Sequence, residues 1–249
     1  QIYNNNNDDT YMENVPATEL GLLITIIGGI FMIIGKILDK IELSPITPDY
    51  KKDAEIDGLI SLLRHKYGCS RMSILGYHNG GHWINNISIS KFTCRHESVG
   101  LGTDPLLLQM QGISTSFLKE MPSILKEKQF LFEANITKMR QETNYNPAYY
   151  EMMRQFGTSS TIAIGIHSPI FKWRKFRYET ELVASIHMNW ADDTWIKSLM
   201  KSRFQRLELI NELHRLVNIY EPKAKDILVV HDIFNEKVKE TKTIFGEDF

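Results

Sequence analysis

Between Leu20 and Gly35 the chain reads LGLLITIIGGIFMIIG, a run with no charged residue. As a helix it covers roughly 24 Å at about 1.5 Å per residue. Widening it to Ala17–Leu38, with Glu19 and Lys36 reaching for the two interfaces, brings it to the roughly 30 Å of a bilayer core. A single membrane helix is therefore expected within residues 17–40, after a polar tail over 1–16. A buried core helix is the alternative, but a helix apolar on every side needs protein on every side. A secretory signal fits less well, because residues 1–19 contain no Lys or Arg.

Beyond a linker over residues 41–52, marked by Pro45, Pro48, Lys51 and Lys52, the pattern becomes that of a globular domain over 53–222. Ile56, Leu59, Ile60, Leu62 and Leu63 fall largely on one side of a helix from Asp53 to Tyr67, and Gly68 supplies a stop. RMSILGY and ISISKFTCR alternate as strands around the turn YHNGGHWINN. A short strand near Phe130–Phe132 and a helix from Pro147 to Phe156 follow. Thr161–His167 and Glu181–Trp190 read as strands joined by a hairpin around KWRKFR. In the second of these, Leu182, Ala184, Ile186, Met188 and Trp190 share one face, leaving Val183, Ser185, His187 and Asn189 on the other. One long helix is expected from Asp192, burying Ile196, Met200, Phe204, Leu207, Ile210, Leu213, Val217 and Tyr220, and ending before Pro222. Residues 223–249 read as a charged tail with at most a short helix.

Charge decides orientation more than function class. Lys and Arg number 29 against 30 Asp and Glu, so no global field draws the chain to nucleic acid. Locally the balance is lopsided. Asp8, Asp9, Glu13 and Glu19 precede the apolar run with no basic residue, whereas Lys36, Lys40, Lys51 and Lys52 follow it. Basic excess marks the cytoplasmic side, which places the carboxyl-terminal domain there. Gly21, Gly28 and Gly35 recur every seven residues with Thr25 on the same stripe, and small-residue stripes favour close packing of one membrane helix on another. A homo-oligomer formed through that helix is the expected partner state; glycines that are merely common in membrane helices are the plain alternative.

Candidate chemistry is sparse. No nucleophile elbow, phosphate loop, dinucleotide fingerprint or paired-carboxylate motif is present, so the reading is not an enzyme and no cofactor is implied. Cys69 and Cys94 read as packed thiols, with one disulfide between them as the alternative. His78, His82, Cys94 and His96 are metal-ligand types, with Cys94 and His96 on the same side of a strand. Their spacing matches no strong zinc pattern, so no metal site is assigned. KWRKFR packs Lys172, Arg174, Lys175 and Arg177 around Trp173, suiting an anionic membrane surface, with single-stranded nucleic acid or a solvated hairpin tip as other readings.

The order of elements, with YHNGG followed by SISKFTCRHESVG, resembles the GAF/PAS superfamily of sensor domains over about Asp53–Tyr220. It is similar to GAF-like proteins encoded by bacteriophages, many with one amino-terminal membrane span. The resemblance implies an α+β fold: an antiparallel sheet with helices packed on one face and loops over the other. It also implies a ligand position on the sheet face beneath the crossover, which here exposes Tyr77 or His78, His167, Ser185, His187 and Asn189. More faintly, TIAIGIHSPI and ELVASIHMNW with their closing helix resemble the carboxyl-terminal domain of the holins of T-even bacteriophages, although those hold that domain outside the inner membrane. Three functional classes follow: a membrane-anchored module working through a protein partner or signal relay, holin-like control of lysis included; a virion or assembly protein; and a small-molecule-binding regulator.

Overall fold

The computed structural model describes residues 21, 25–33, 49–82, 88–118, 120–136, 147–172 and 176–245. The chain divides into two units, Gln1–Pro48 and Asp49–Phe249.

In the first unit, residues 25–33 are helical. Thr25 Oγ1 donates to the Gly21 carbonyl at 2.9 Å, and Ile26, Ile27, Ile30, Phe31, Met32 and Ile33 are all exposed. A Cβ added at Gly21 or Gly28 would meet nothing within 4 Å. No helix among the described residues is long and apolar enough to cross a membrane. Much of the span expected over 17–40, Gly35 included, lies outside the described residues.

The second unit is built on a six-stranded sheet. Helix α1 (Tyr50–Lys66) precedes β1 (Arg71–His82) and β2 (Ser88–Val99), then β3 (Ile113–Ser114) and a 3-10 turn at Thr115–Leu118. The crossover continues through α2 (Glu120–Lys128), the edge strand β4 (Phe130–Glu133) and α3 (Pro147–Gln155). The hairpin β5 (Ser160–Lys172) and β6 (Arg177–Trp190) leads into α4 (Thr194–Lys201), α5 (Arg203–Tyr220) and α6 (Val230–Phe245). Strand order is β3-β2-β1-β6-β5-β4, and every neighbouring pair is antiparallel. This is an α+β layout: one antiparallel sheet with helices on both faces.

Each face of the sheet carries its own core. Met72 and Ile74 of β1, Ile162, Ile164 and Ile166 of β5, and Ala184, Ile186, Met188 and Trp190 of β6 pack under α1, α4, α5 and α6. On the other face Leu75, Phe92, Cys94, Leu131 and Ala163 meet Leu118 and Met121, Leu125, Tyr149 and Met153 of the crossover. That face is covered by two short helices as well as loops. Helix α1 starts where the Asp49 carboxylate accepts from Lys52 N at 3.1 Å, and it buries Ile56, Leu59, Ile60 and Leu63. It ends at Lys66, two residues ahead of Gly68, whose φ of +60° suits glycine. Trp190 Nε1 ties this corner to the sheet by donating to the Tyr67 carbonyl at 2.8 Å.

Several expectations need correction. The single helix expected from Asp192 is two, broken at Ser202, whose extended backbone (φ −113°, ψ 107°) ends α4 and whose hydroxyl accepts from Gln205 N to start α5. The break shifts the phase of the apolar stripe. Phe204 (74 % exposed) and Leu207 turn outward, while Leu209, Ile210, Leu213, Leu216 and Val217 are buried. The charged tail expected over 223–249 contains α6, whose Val230, Phe234 and Val238 enter the first core together with Ile227. Phe234 sits 5.0 Å from the rings of both Phe130 and Phe132.

Two bulges reassign side chains to opposite faces. Ile74 pairs with His96 but Leu75 with Cys94, leaving Arg95 as the extra residue of β2. Cys94 therefore lies in the crossover-side core, while His96 turns toward α1, its Nδ1 lying 2.8 Å from Asp57 Oδ1. The same-side placement expected for these two residues does not hold. In the hairpin, Ile166 pairs with Ala184 and His167 with Leu182, so Val183 is the extra residue. Leu182 consequently packs on the crossover side and Val183 on the other, the reverse of strict alternation. The segment read as a turn from Tyr77 also continues as strand through His82.

Candidate functional site

The odd-numbered side chains at the start of β1 and the end of β6 stand on the crossover face. Arg71 and Ser73 pair opposite Asn189 and His187, and Leu75 opposite Ser185. Four of the six residues expected to share a ligand face are brought together here. Tyr77 Oη lies 3.1 Å from Ser185 Oγ, which lies 2.8 Å from His187 Nε2, so hydroxyl, hydroxyl and imidazole form one hydrogen-bonded chain. Tyr77 Oη also reaches Met121 Sδ at 3.5 Å. Asn189 is held by its own bond, its Oδ1 accepting from Thr161 Oγ1 at 2.7 Å.

Burial sets the charge state of this chain. Desolvation pushes the His187 pKa down to about 4, so the imidazole stays neutral near pH 7. Desolvation raises Tyr77 well above the ordinary phenol range, against a smaller opposing effect from the Ser185 hydrogen bond. Room beside these groups is small. The space lined by Ser73, His187, Asn189 and Tyr149 measures about 20 Å³, a volume that suits one water rather than a ligand, for which about 300 Å³ or more is usual.

The other two expected residues stand apart. His78 is exposed, its Nε2 2.9 Å from Thr93 Oγ1. It lines an open groove of about 640 Å³ with Tyr77, Ser90, Lys126 and Glu181. That groove opens where β1–β6 pairing stops at Gly76–Ala184 while both hairpins run on. His167 Nε2 lies 3.3 Å from the Lys126 carbonyl at the end of α2, and desolvation lowers its pKa. Close approach of α2 to β5 depends on Gly165, where a Cβ would stand 2.9 Å from the Leu125 carbonyl.

A second site escaped the sequence reading. Arg71 Nε lies 3.1 Å from Glu97 Oε1, with the side chains 2 % and 4 % exposed. Glu97 also accepts from the main-chain N–H groups of Leu106 and Leu107 at 2.8 Å, and Arg71 Nη2 donates to the Asp104 carbonyl at 2.6 Å. The pair thus clamps the start of the crossover to β1 and β2. In front of it opens a cleft of about 390 Å³, walled by Ser70, Arg71, Asp104, Gln109, Gln155 and Phe156, with Thr103 and Ala191 also on its lining. The sequence signal was faint: one Arg and one Glu inside alternating strands, unpaired until register is known.

The remaining chemistry is plain. Cys69 and Cys94 are both buried and free; desolvation raises both thiols, Cys94 to about 12, so neither is a reactive thiolate at neutral pH. Among the described residues no group of three or more His, Cys, Asp or Glu converges as a metal site. Of the basic hairpin, residues 173–175 lie outside the described residues, as do the side chains of Lys172 and His82. Arg177 is paired with Glu179 at 2.6 Å, and Phe176 and Tyr178 are exposed beside it.

No family model and no curated protein sequence matches the chain. Solved structures similar to it include the photoproduct state of a GAF3 domain from Synechocystis sp. PCC6803, 13 % identical with a TM-score of 0.41, covering 67 % of this chain and 89 % of that one. The phycocyanobilin-bound GAF domain of a cyanobacterial phytochrome is 12 % identical with a TM-score of 0.44, covering 68 % and 83 %. A far-red cyanobacteriochrome photoreceptor is 11 % identical with a TM-score of 0.44, covering 82 % and 96 %. These likenesses concern fold alone.

Proposed function

We propose that the chain is a single-pass, self-associating membrane protein whose GAF-like domain, held on the cytoplasmic side, acts by docking to a protein partner or relaying a signal. The observation that carries this reading is the helix at 25–33, which leaves six large apolar side chains exposed around its circumference. In water such a surface is strongly unfavourable; in lipid it is the expected one. Thr25 supports the same environment, because its hydroxyl is satisfied by the Gly21 carbonyl within the helix and requires no solvent. The stripe of Gly21, Thr25 and Gly28 leaves one side open to a second copy. Exposed Phe176 and Tyr178 beside Arg177 give the hairpin tip the residue types that favour a membrane surface. The near-filled space beside His187 favours contact with a partner over a ligand held among the Tyr77, Ser185, His187 and Asn189 side chains.

Expression of the full chain beside a version lacking residues 17–38 tests the reading. The full chain should sediment with membranes and resist alkaline extraction, its domain should be protected from protease added outside spheroplasts, and the shortened chain should be released. Recovery of the full chain in the soluble fraction overturns the proposal. Permeabilisation of the inner membrane by the full chain alone selects holin-like control of lysis, of bacteriophage type, as its specific form; co-purification with particles selects the assembly reading instead.

A further inference from the structure

The cleft in front of Arg71 has features of a built ligand site that neither the sheet-face residues nor the membrane helix explains. Arg71 is almost wholly buried, and although Nε meets Glu97 and Nη2 meets Asp104 O, its Nη1 has no hydrogen-bond partner among the described residues. A buried guanidinium nitrogen left without an acceptor is costly. Arg71 forms part of the inner wall of the cleft, whose volume of about 390 Å³ lies in the usual small-molecule range of about 300–1,000 Å³.

We propose that this cleft binds a compact, uncharged molecule through a planar carboxamide or lactam edge, the carbonyl accepting from Arg71. Charge decides the class. Glu97 already neutralises the guanidinium, and its oxygens are occupied by the Leu106 and Leu107 amides, so the pair offers a donor without a net positive charge. Asp104 stands exposed on the rim and repels a carboxylate or phosphate, while it and Gln155 offer acceptors for ligand N–H groups. An anion here would leave one cation shared among two carboxylates and itself. A neutral amide satisfies Nη1 without that penalty.

Phe156 provides the way in. Its ring lies 5.4 Å from the Arg71 guanidinium carbon and lines both the cleft and a neighbouring apolar groove of about 430 Å³ that also touches Phe92, Ile113, Phe117 and Met152. Displacement of the ring into that groove uncovers the guanidinium edge, and the ring then stacks on a flat ligand. The inference does not depend on the membrane reading.

The test uses the full chain in mild detergent, titrated calorimetrically with nicotinamide and benzamide and with their anionic counterparts nicotinate and benzoate. The amides should bind at least tenfold more tightly than the acids. Ala191→Phe, which fills the cleft from an exposed wall, should abolish amide binding while leaving the circular dichroism spectrum and thermal midpoint unchanged; Gln155→Ala should weaken it severalfold. Absence of amide binding, tighter binding of the acids, or amide binding undiminished in Ala191→Phe overturns the proposal. Because Arg71 also clamps the fold, substitutions there are not needed for the decision.

Discussion

Arg71 of β1 and Glu97 of β2 form a buried ion pair, Nε to Oε1 at 3.1 Å, and the carboxylate simultaneously accepts from two main-chain N–H groups of the crossover. Removing one partner leaves a charge buried without compensation. Glu97→Ala should therefore lower unfolding free energy by about 3–5 kcal/mol. The double change Arg71→Met with Glu97→Leu should recover a large part of that, since an apolar pair of similar volume avoids the desolvation cost. Urea titrations of the parent chain and the two variants measure both effects; a double variant no more stable than Glu97→Ala would show that the ion pair, not its desolvation, governs this corner.

His187 makes stability depend on pH. Its folded pKa, pushed down to about 4 by burial, lies below the ordinary value of 6.5 of the unfolded chain. The unfolded state consequently binds the proton first. The contribution is fully present above pH 6.5 and is lost as pH falls toward 4, amounting to roughly 3 kcal/mol at the lower end. His167, also lowered by burial, acts in the same direction. Replacing His187 with Gln should flatten the unfolding free energy measured between pH 6.5 and 4; an unchanged slope would mean that the imidazole is solvated.

Gly68→Ala should be destabilising by at least about 1–3 kcal/mol, the usual cost of a non-glycine residue held in a strained backbone region. Its φ is +60°, and an added Cβ would stand 2.0 Å from Trp195 Nε1, so the indole must also move. A lowered thermal midpoint with a shifted Trp195 emission is the expected result. Trp195→Ala in the same background should relieve the clash but not the backbone strain.

Helix α5 offers a paired test of the break at Ser202. Phe204→Ser should change stability by less than about 0.5 kcal/mol, as expected for an exposed position. Ile210→Ala, on the buried stripe, should cost about 2–4 kcal/mol. Equal effects, read by denaturant unfolding, would restore one continuous helix with Phe204 inside.

The sequence made the α1 stripe legible, together with the alternation of β1, β2, β5 and β6 and the proline-led start of α3, because each rests on local periodicity. What it hid depended on long-range register. The Arg95 and Val183 bulges insert one residue each and send Cys94, His96, Leu182 and Val183 to faces that strict alternation does not assign. The break at Ser202 left hydrophobic spacing intact across two helices, so Phe204 and Leu207 fit an imagined continuous stripe. Of the candidate site, the shared face of Ser185, His187 and Asn189 was readable from period two, whereas Tyr77 and His78 stood as alternatives until β1 was seen beside β6. The Arg71 cleft was not, since pairing Arg71 with Glu97 requires knowing which strands adjoin.

Helix α6 presses Phe234 against Phe130 and Phe132 on β4, the outermost strand of one sheet margin. A nascent chain therefore carries β4 without the Phe234 contact on those two rings until α6 has cleared the ribosome. Stop codons placed between Pro222 and Phe234 should therefore yield sticky, chaperone-bound fragments that lack this cover.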